Sequence, residues 1–489
     1  MSPFLVVAII LIYFAALIII SVITSKGATT DTFFTANRQS PWYLVAFGMI
    51  GSSLSGITFV SVPGSVGKVS FSYFQVVLGY IIGYTVIMTV LMPMYYRLNL
   101  VSIYTYLEQR FDKWSYKTGA FFFLLSRTVG SSLRLCLSAT VLQLFLFDAW
   151  NVPFYVTVAI TIFLIWIYTF KGGIKTIVWT DAFQTIFLVS AVIISVYLIS
   201  ARLGLTFAGM IQTVRDSDYS KIFFLDDANS TLFFPKQFFA GAFIAIAMTG
   251  LDQDLMQKNL TCKNLGEAQK NMFWLTVSIV IVNLLFLTLG ALLYIYSQRT
   301  GFVLPASSDE LYPRLALNEF GLLAGVFFLL GIIASSYASA DSALASLTTS
   351  FCIDFLNFKN KPENVKRKQK NIVHFTFSLL FLVIILIAKE LNEGSLISTV
   401  LIVAGYTYGP LLGLFTFGLF TTRVVRDKLV PFICVVSPLF SFWITSNSEQ
   451  WFSGYKIGNE VLILNGAITF MGLWFVSSKE IPGSKRVKL

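Results

Sequence analysis

Two stretches of this chain place hydroxyls, glycines and a carboxylate inside segments that are otherwise apolar. The first runs Gly48-Met49-Ile50-Gly51-Ser52-Ser53-Leu54-Ser55-Gly56-Ile57-Thr58, followed by Val62-Pro63-Gly64. Glycine and serine permit an unwound turn, and unwinding frees carbonyl oxygens. Within a membrane such backbone is tolerated only where it lines a cavity or is buried in protein. Freed carbonyls and hydroxyls are hard oxygen ligands that suit an alkali cation, although tight helix packing uses the same small residues. The second stretch, Ala334 to Ser346, holds Ser335, Ser336, Ser339, Ser342, Ser346 and Asp341. Ser335, Ser339, Ser342 and Ser346 fall on one helical face, with Asp341 beside them. A carboxylate in a membrane is costly and points to function, and a bound cation would compensate it. A serine zipper, with Asp341 in water near the helix end, is the other reading.

Further polar residues interrupt the apolar pattern. Asp181 opens a helix after Lys171-Gly172-Gly173-Ile174-Lys175, either as a favourable charge at a helix N-terminus or as a second cation ligand. Gly250 can break the segment Met248-Thr249-Gly250-Leu251-Asp252-Gln253-Asp254, letting its acids reach a polar site or simply end a helix in the cytoplasm. Arg127 and Arg134 lie on roughly one helical face. At mid-membrane each needs a carboxylate or a bound anion. The single histidine, His374, and the absence of a nucleophile motif count against an enzyme. The four cysteines have no metal-site spacing and read as free thiols.

These residues need a membrane scaffold to position them. Of 489 residues, 56% are hydrophobic and 12% charged, against about 25% charged in a soluble domain. The apolar runs are about 20 residues or longer, enough to cross a bilayer as helices, and the period-two alternation of a β-barrel is missing. The pattern predicts an all-α integral membrane protein with thirteen spans, near 3–23, 42–66, 72–97, 118–146, 153–171, 176–200, 236–257, 273–297, 320–356, 373–389, 396–422, 429–446 and 460–478. The first lacks a basic leader and a clear cleavage site, so it reads as a retained helix. With the N-terminus outside and the C-terminus cytoplasmic, 24 of the 35 Lys and Arg residues fall inside and 9 outside, as the positive-inside rule requires. The run Lys359–Lys370 is the strongest local signal. The basic charge therefore serves topology and anionic lipid. Nucleic-acid binding would need an exposed basic domain. The outside loop 201–235 carries Asp216, Asp218, Asp226 and Asp227 and reads as solvated or as a cover over a pathway.

Taken together, Gly51–Phe59, Gly172-Gly173-Ile174-Lys175 with Trp179-Thr180-Asp181, Gly250-Leu251-Asp252-Gln253 and Ser335–Asp354 resemble the sodium/solute symporter family, in order and spacing over most of the chain. The resemblance implies the leucine-transporter fold, with two inverted five-helix repeats at 42–200 and 236–422. An extra helix and link would occupy 1–41, and two helices with a basic tail 423–489. The broken second and seventh spans would hold equivalent places, a pointer to the binding site in its own right. By the same resemblance, the main sodium site would use the carbonyls of Gly51, Leu54 and Ser335 and the Ser339 hydroxyl. Ala338 stands where the family usually has a second hydroxyl. Asp181, Asp341 and Ser342 would form a second sodium site, giving one or two ions. Ser53, Ser55 and Thr58 match substrate positions, Phe71 and Gln75 repeat a Phe-x-x-x-Gln pair, and Arg127 and Asp252 fall near further substrate positions.

The expected activity is sodium-coupled symport of a small polar solute by alternating access, in a cell membrane and with no obligate protein partner evident. The arginines tilt the substrate toward an organic anion or sugar acid, while the hydroxyls also suit a sugar. Proton coupling through Asp181 or Asp341 is the rival within transport. A sensor that keeps the transporter fold is a third reading.

Overall fold

The computed structural model describes residues 3–27, 29–170, 173–358, 361–391 and 396–479. Gly172, Lys359 and the basic tail with Lys485, Arg486 and Lys488 lie outside the described residues. The apolar helices are α1 (Phe4–Thr24), a bent pair α2 (Trp42–Ser53) and α3 (Gly56–Val69), α4 (Tyr73–Arg97), α5 (Lys113–Leu142), the shorter α6 (Phe154–Thr169) and α7 (Gly173–Arg202). A second bent pair follows, α8 (Phe234–Gly250) and α9 (Gln253–Asn259), then α10 (Leu265–Thr300), α11 (Leu322–Phe355), α12 (Glu363–Glu390), α13 (Thr399–Phe420), α14 (Asp427–Trp451) and α15 (Val461–Phe475). Counting each bent pair once, these helices occupy the positions of the thirteen expected spans. Large apolar side chains such as Phe163, Ile193 and Leu439 are exposed on the outer surface, where lipid would cover them. All four cysteines are free and buried.

Both expected breaks are present. α2 and α3 meet at 58°. α2 ends at Leu54 (φ −95°, ψ 77°), and Ser55 is extended before α3 begins. Serine hydroxyls offer the backbone a competing local partner: the Ser52 hydroxyl lies 3.4 Å from the carbonyls of both Gly48 and Met49. The glycines permit close approach on both sides of the turn. A Cβ on Gly51 would lie 2.6 Å from Thr185 Oγ1 of α7, and one on Gly56 would collide with Ser336 of α11.

α8 and α9 meet at 69°. Asp252 caps α9 by accepting the Asp254 N–H at 2.8 Å. The carbonyls freed at this bend find protein donors, since the Tyr95 hydroxyl donates to Gly250 O at 2.8 Å and the Tyr104 hydroxyl to Leu251 O at 2.9 Å. At the first bend the carbonyls of Gly51 and Leu54 accept no backbone hydrogen bond from the described residues. The carbonyls of the second bend are therefore satisfied by protein, whereas those of Gly51 and Leu54 meet no backbone donor among the described residues.

The all-α architecture with two broken helices in corresponding places is the leucine-transporter fold of inverted five-helix repeats. The short helix Phe207–Arg215 is the one α-helix among the described residues of the 201–235 loop. That loop is tied to the start of α4: Ser70 Oγ donates to Asp218 O at 3.1 Å, and Phe71 N to Lys221 O at 3.0 Å.

Candidate functional site

A cavity opens at the first bend. Its walls carry Ser52, Ser53, Leu54, Ser55 and Thr58 from α2, the elbow and α3, Tyr73, Tyr80 and Tyr84 from α4, Arg127 and Arg134 from α5, and Thr249 from α8. The serine-rich turn thus supplies hydroxyls and the start of a helix on one side, while α5 supplies two guanidinium groups on the other. The tyrosines escaped the sequence reading. Their spacing puts them on one face of α4, and the Tyr73 and Tyr80 hydroxyls lie 3.4 Å apart.

The two arginines differ in what holds them. Arg127 is 3% exposed. Its Nη2 is bonded directly to Asp254 Oδ2, and its Nη1 lies 3.9 Å from Asp252 Oδ2. Tyr408 donates its hydroxyl to the same Asp252 oxygen, and Ser342 donates to Asp254 Oδ1. The Arg127 charge is therefore committed to α9. Arg134 is half-buried on the cavity wall. Among the described residues it makes no ion pair or hydrogen bond. A guanidinium has five donors that suit a carboxylate in bidentate geometry, and those of Arg134 are free to meet one.

Several expectations for substrate residues change. Gln75 is fully buried away from the cavity, because its amide clamps the outer loop: Nε2 donates to Leu232 O at 2.9 Å, and Oε1 accepts from Phe224 N at 3.3 Å. Phe71 lies at the same loop seam and is also off the cavity wall. Asp252 is spent on the α9 cap, Tyr408 and Arg127, and does not line the cavity.

α11 packs against both halves of the broken helix, and it carries the expected ligands Ser335 and Ser339. The Ser339 hydroxyl is buried and has no hydrogen-bond partner among the described residues. Ser335 donates to its own helix at Ile332 O, 3.1 Å away, so its hydroxyl is occupied. Ala338 is fully buried beside Ser339 and contributes no side-chain oxygen. Gly51 N donates to Thr185 Oγ1 at 3.1 Å, which anchors α2 on α7.

The expected second ion site is arranged differently. Asp181 Oδ2 accepts from Lys258 Nζ at 2.5 Å, and the two side chains are 0% and 1% exposed. Asp341 lies within electrostatic reach of this pair and accepts from the Tyr168 hydroxyl at 2.9 Å. Ser342 turns away from Asp181 toward Asp254. Lys258, expected in a cytoplasmic link, is buried because the bend before α9 brings it under α7.

The family model described as the sodium:solute symporter family matches residues 33–427. The chain is 24% identical to the sodium/sialic acid symporter of Aliivibrio fischeri, covering 91% of this chain and 88% of that protein. It is 23% identical to the sodium/sialic acid symporter of Proteus mirabilis, covering 94% and 93%. A solved substrate-bound, outward-open sodium-coupled sialic acid symporter superposes with a TM-score of 0.83 at 20% identity, covering 97% of this chain and 99% of that one. A turn with free carbonyls, a facing serine helix and a family match spanning most of the sequence lead to one conclusion: the chain belongs to the sodium:solute symporter family.

Proposed function

We propose that this chain carries a small organic anion of the sugar-acid class into the cell together with sodium, by alternating access. The observation that carries the substrate class is Arg134, a guanidinium on the cavity wall that makes no ion pair or hydrogen bond among the described residues. The substrate's carboxylate would meet Arg134, and its hydroxyl groups would meet Ser53, Ser55, Thr58 and the tyrosines of α4. The similarity to sialic acid symporters is consistent with this class.

Sodium would sit between the Gly51 and Leu54 carbonyls on one side and the Ser335 carbonyl and Ser339 hydroxyl on the other. Two observations support that placement: among the described residues the elbow carbonyls meet no backbone donor, and the buried Ser339 hydroxyl has no hydrogen-bond partner. The ion would hold the elbow against α11 and so complete the adjacent wall of the substrate cavity. The repeats 42–200 and 236–422 would then rock about this region and open it inward. The N-terminus would lie outside and the C-terminus in the cytoplasm. A membrane potential of about 100 mV contributes about 2.3 kcal/mol per sodium moved.

Uptake into proteoliposomes with sodium replaced by potassium at fixed pH tests the coupling. Sugar-acid uptake should fall to background, and full uptake without sodium would sink the reading. The ion site carries its own test. Ala338→Ser adds a hydroxyl beside Ser339, a gain on the scale of one net polar interaction, about 0.5–1.5 kcal/mol. The sodium concentration for half-maximal uptake should drop about two- to tenfold. An unchanged value in a well-folded variant would remove position 338 from the ion.

A further inference from the structure

We propose that the Lys258 ammonium is a tethered cation standing in for a second sodium ion, so that this symporter binds one sodium per cycle. The inference rests on the sodium-site reading given above and sets the ion count of that site's neighbourhood.

Asp181 and Asp341 are two fully buried carboxylates on helices α7 and α11, which pack against one another. Such a pair needs a cation, because burying charge without a partner is costly. The chain supplies one. Lys258 leaves the last turn of α9 and is buried along its length, with Nζ 2.5 Å from Asp181 Oδ2. The 69° bend at Gly250–Asp252 aims α9 so that the ammonium arrives there. A sodium ion on Asp181 would share its carboxylate with a fixed positive charge in a dry environment, where like charges repel strongly.

The remaining oxygens agree. The third ligand expected for such an ion, the Ser342 hydroxyl, is directed to Asp254 instead. Asp341 already accepts from Tyr168. One oxygen of each carboxylate, Asp181 Oδ1 and Asp341 Oδ1, is buried and has no hydrogen-bond partner among the described residues. These two oxygens are acceptors left for an ion if the ammonium were taken away. The pair also braces the region of the main site. The backbone of α2 lies so close to Asp181 that a Cβ on Gly48 would be 3.0 Å from its Cβ. Lys258 therefore ties α9 to α7 at the point where α7 packs closely on α2.

Equilibrium binding of radioactive sodium to the purified full chain, with no substrate added, counts the sites. The wild type should bind one ion per chain, and so should Lys258→Arg, which keeps the charge. Lys258→Met should bind two, because the vacated carboxylates accept the second. Two ions bound by the wild type would overturn the proposal, as would a folded Lys258→Met that still binds one. Removal of the ammonium alone strands a buried carboxylate, so Lys258→Met is checked by its melting profile. If it fails to fold, the charge-balanced Lys258→Met with Asp181→Asn should fold and bind one ion, and the wild-type count remains decisive. No sodium bound by the wild type would instead sink the sodium-site reading itself.

Discussion

Arg134→Ala is expected to raise the apparent KM for a carboxylate substrate about 10- to 100-fold while leaving the protein folded and its sodium binding intact. The magnitude follows from losing a hydrogen bond to a charged group, about 1.5–3 kcal/mol. The selectivity of the effect follows from the structure. Arg134 lines the cavity and, among the described residues, supports no carboxylate or carbonyl of the protein. Its removal therefore leaves nothing of the protein unpaired and costs little stability. Arg134→Lys should recover only part of the affinity, because an ammonium cannot reproduce the planar two-point contact. Radiolabelled uptake, paired with a thermal melt, measures both quantities. Unchanged sugar-acid uptake by Arg134→Ala would remove the anion preference. A loss that tracked a fall in melting temperature would make Arg134 a structural residue instead.

The spans and both breaks were legible in the sequence because their causes are local. An apolar run of sufficient length is a span wherever it packs, and Gly51, Ser52, Ser53, Ser55 and Gly56 weaken a helix by their own chemistry. The ranking of the two arginines was not legible. Arg127 and Arg134 share a helical face, and what separates them is Asp254, distant in sequence and placed by the second bend. The same holds for Lys258, which reads as one more positive charge in a link until the bend turns it under Asp181. Gln75 misled in the opposite way. Its spacing from Phe71 fits a substrate pair, but its amide is consumed by the backbone of a loop whose path no local pattern reveals. The difference between the two breaks was equally hidden, since it depends on whether Tyr95 and Tyr104 reach the freed carbonyls. In each case, residue type announced a polar requirement, and tertiary contacts decided whether protein or ligand would satisfy it.

Arg127→Ala should show the contrasting result: a large loss of stability, with lost uptake as its consequence. Arg127 neutralises Asp254 and faces Asp252, and both carboxylates are fully buried. Truncating one partner of a buried ion pair leaves the other charge uncompensated, at a cost of about 3–5 kcal/mol. Asp254 would keep the Ser342 hydroxyl and Asp252 the Tyr408 hydroxyl, but neither supplies charge. Because Asp252 also caps α9, the damage should spread to the second bend and to Lys258 beyond it. Removing the stranded charge should repair most of the loss. Arg127→Ala with Asp254→Asn keeps a polar group at that position and is expected to melt closer to the wild type than Arg127→Ala alone. Thermal denaturation of the purified variants in one detergent provides the comparison. If Arg127→Ala melted like the wild type yet lost sugar-acid affinity, the two arginines would exchange roles. If the double variant were no more stable than the single, the Arg127–Asp254 pair would not be what holds the second bend. One helix thus carries two arginines with different expected roles: Arg127 holds the α8–α9 bend, and Arg134, with no ion pair or hydrogen bond among the described residues, meets the substrate.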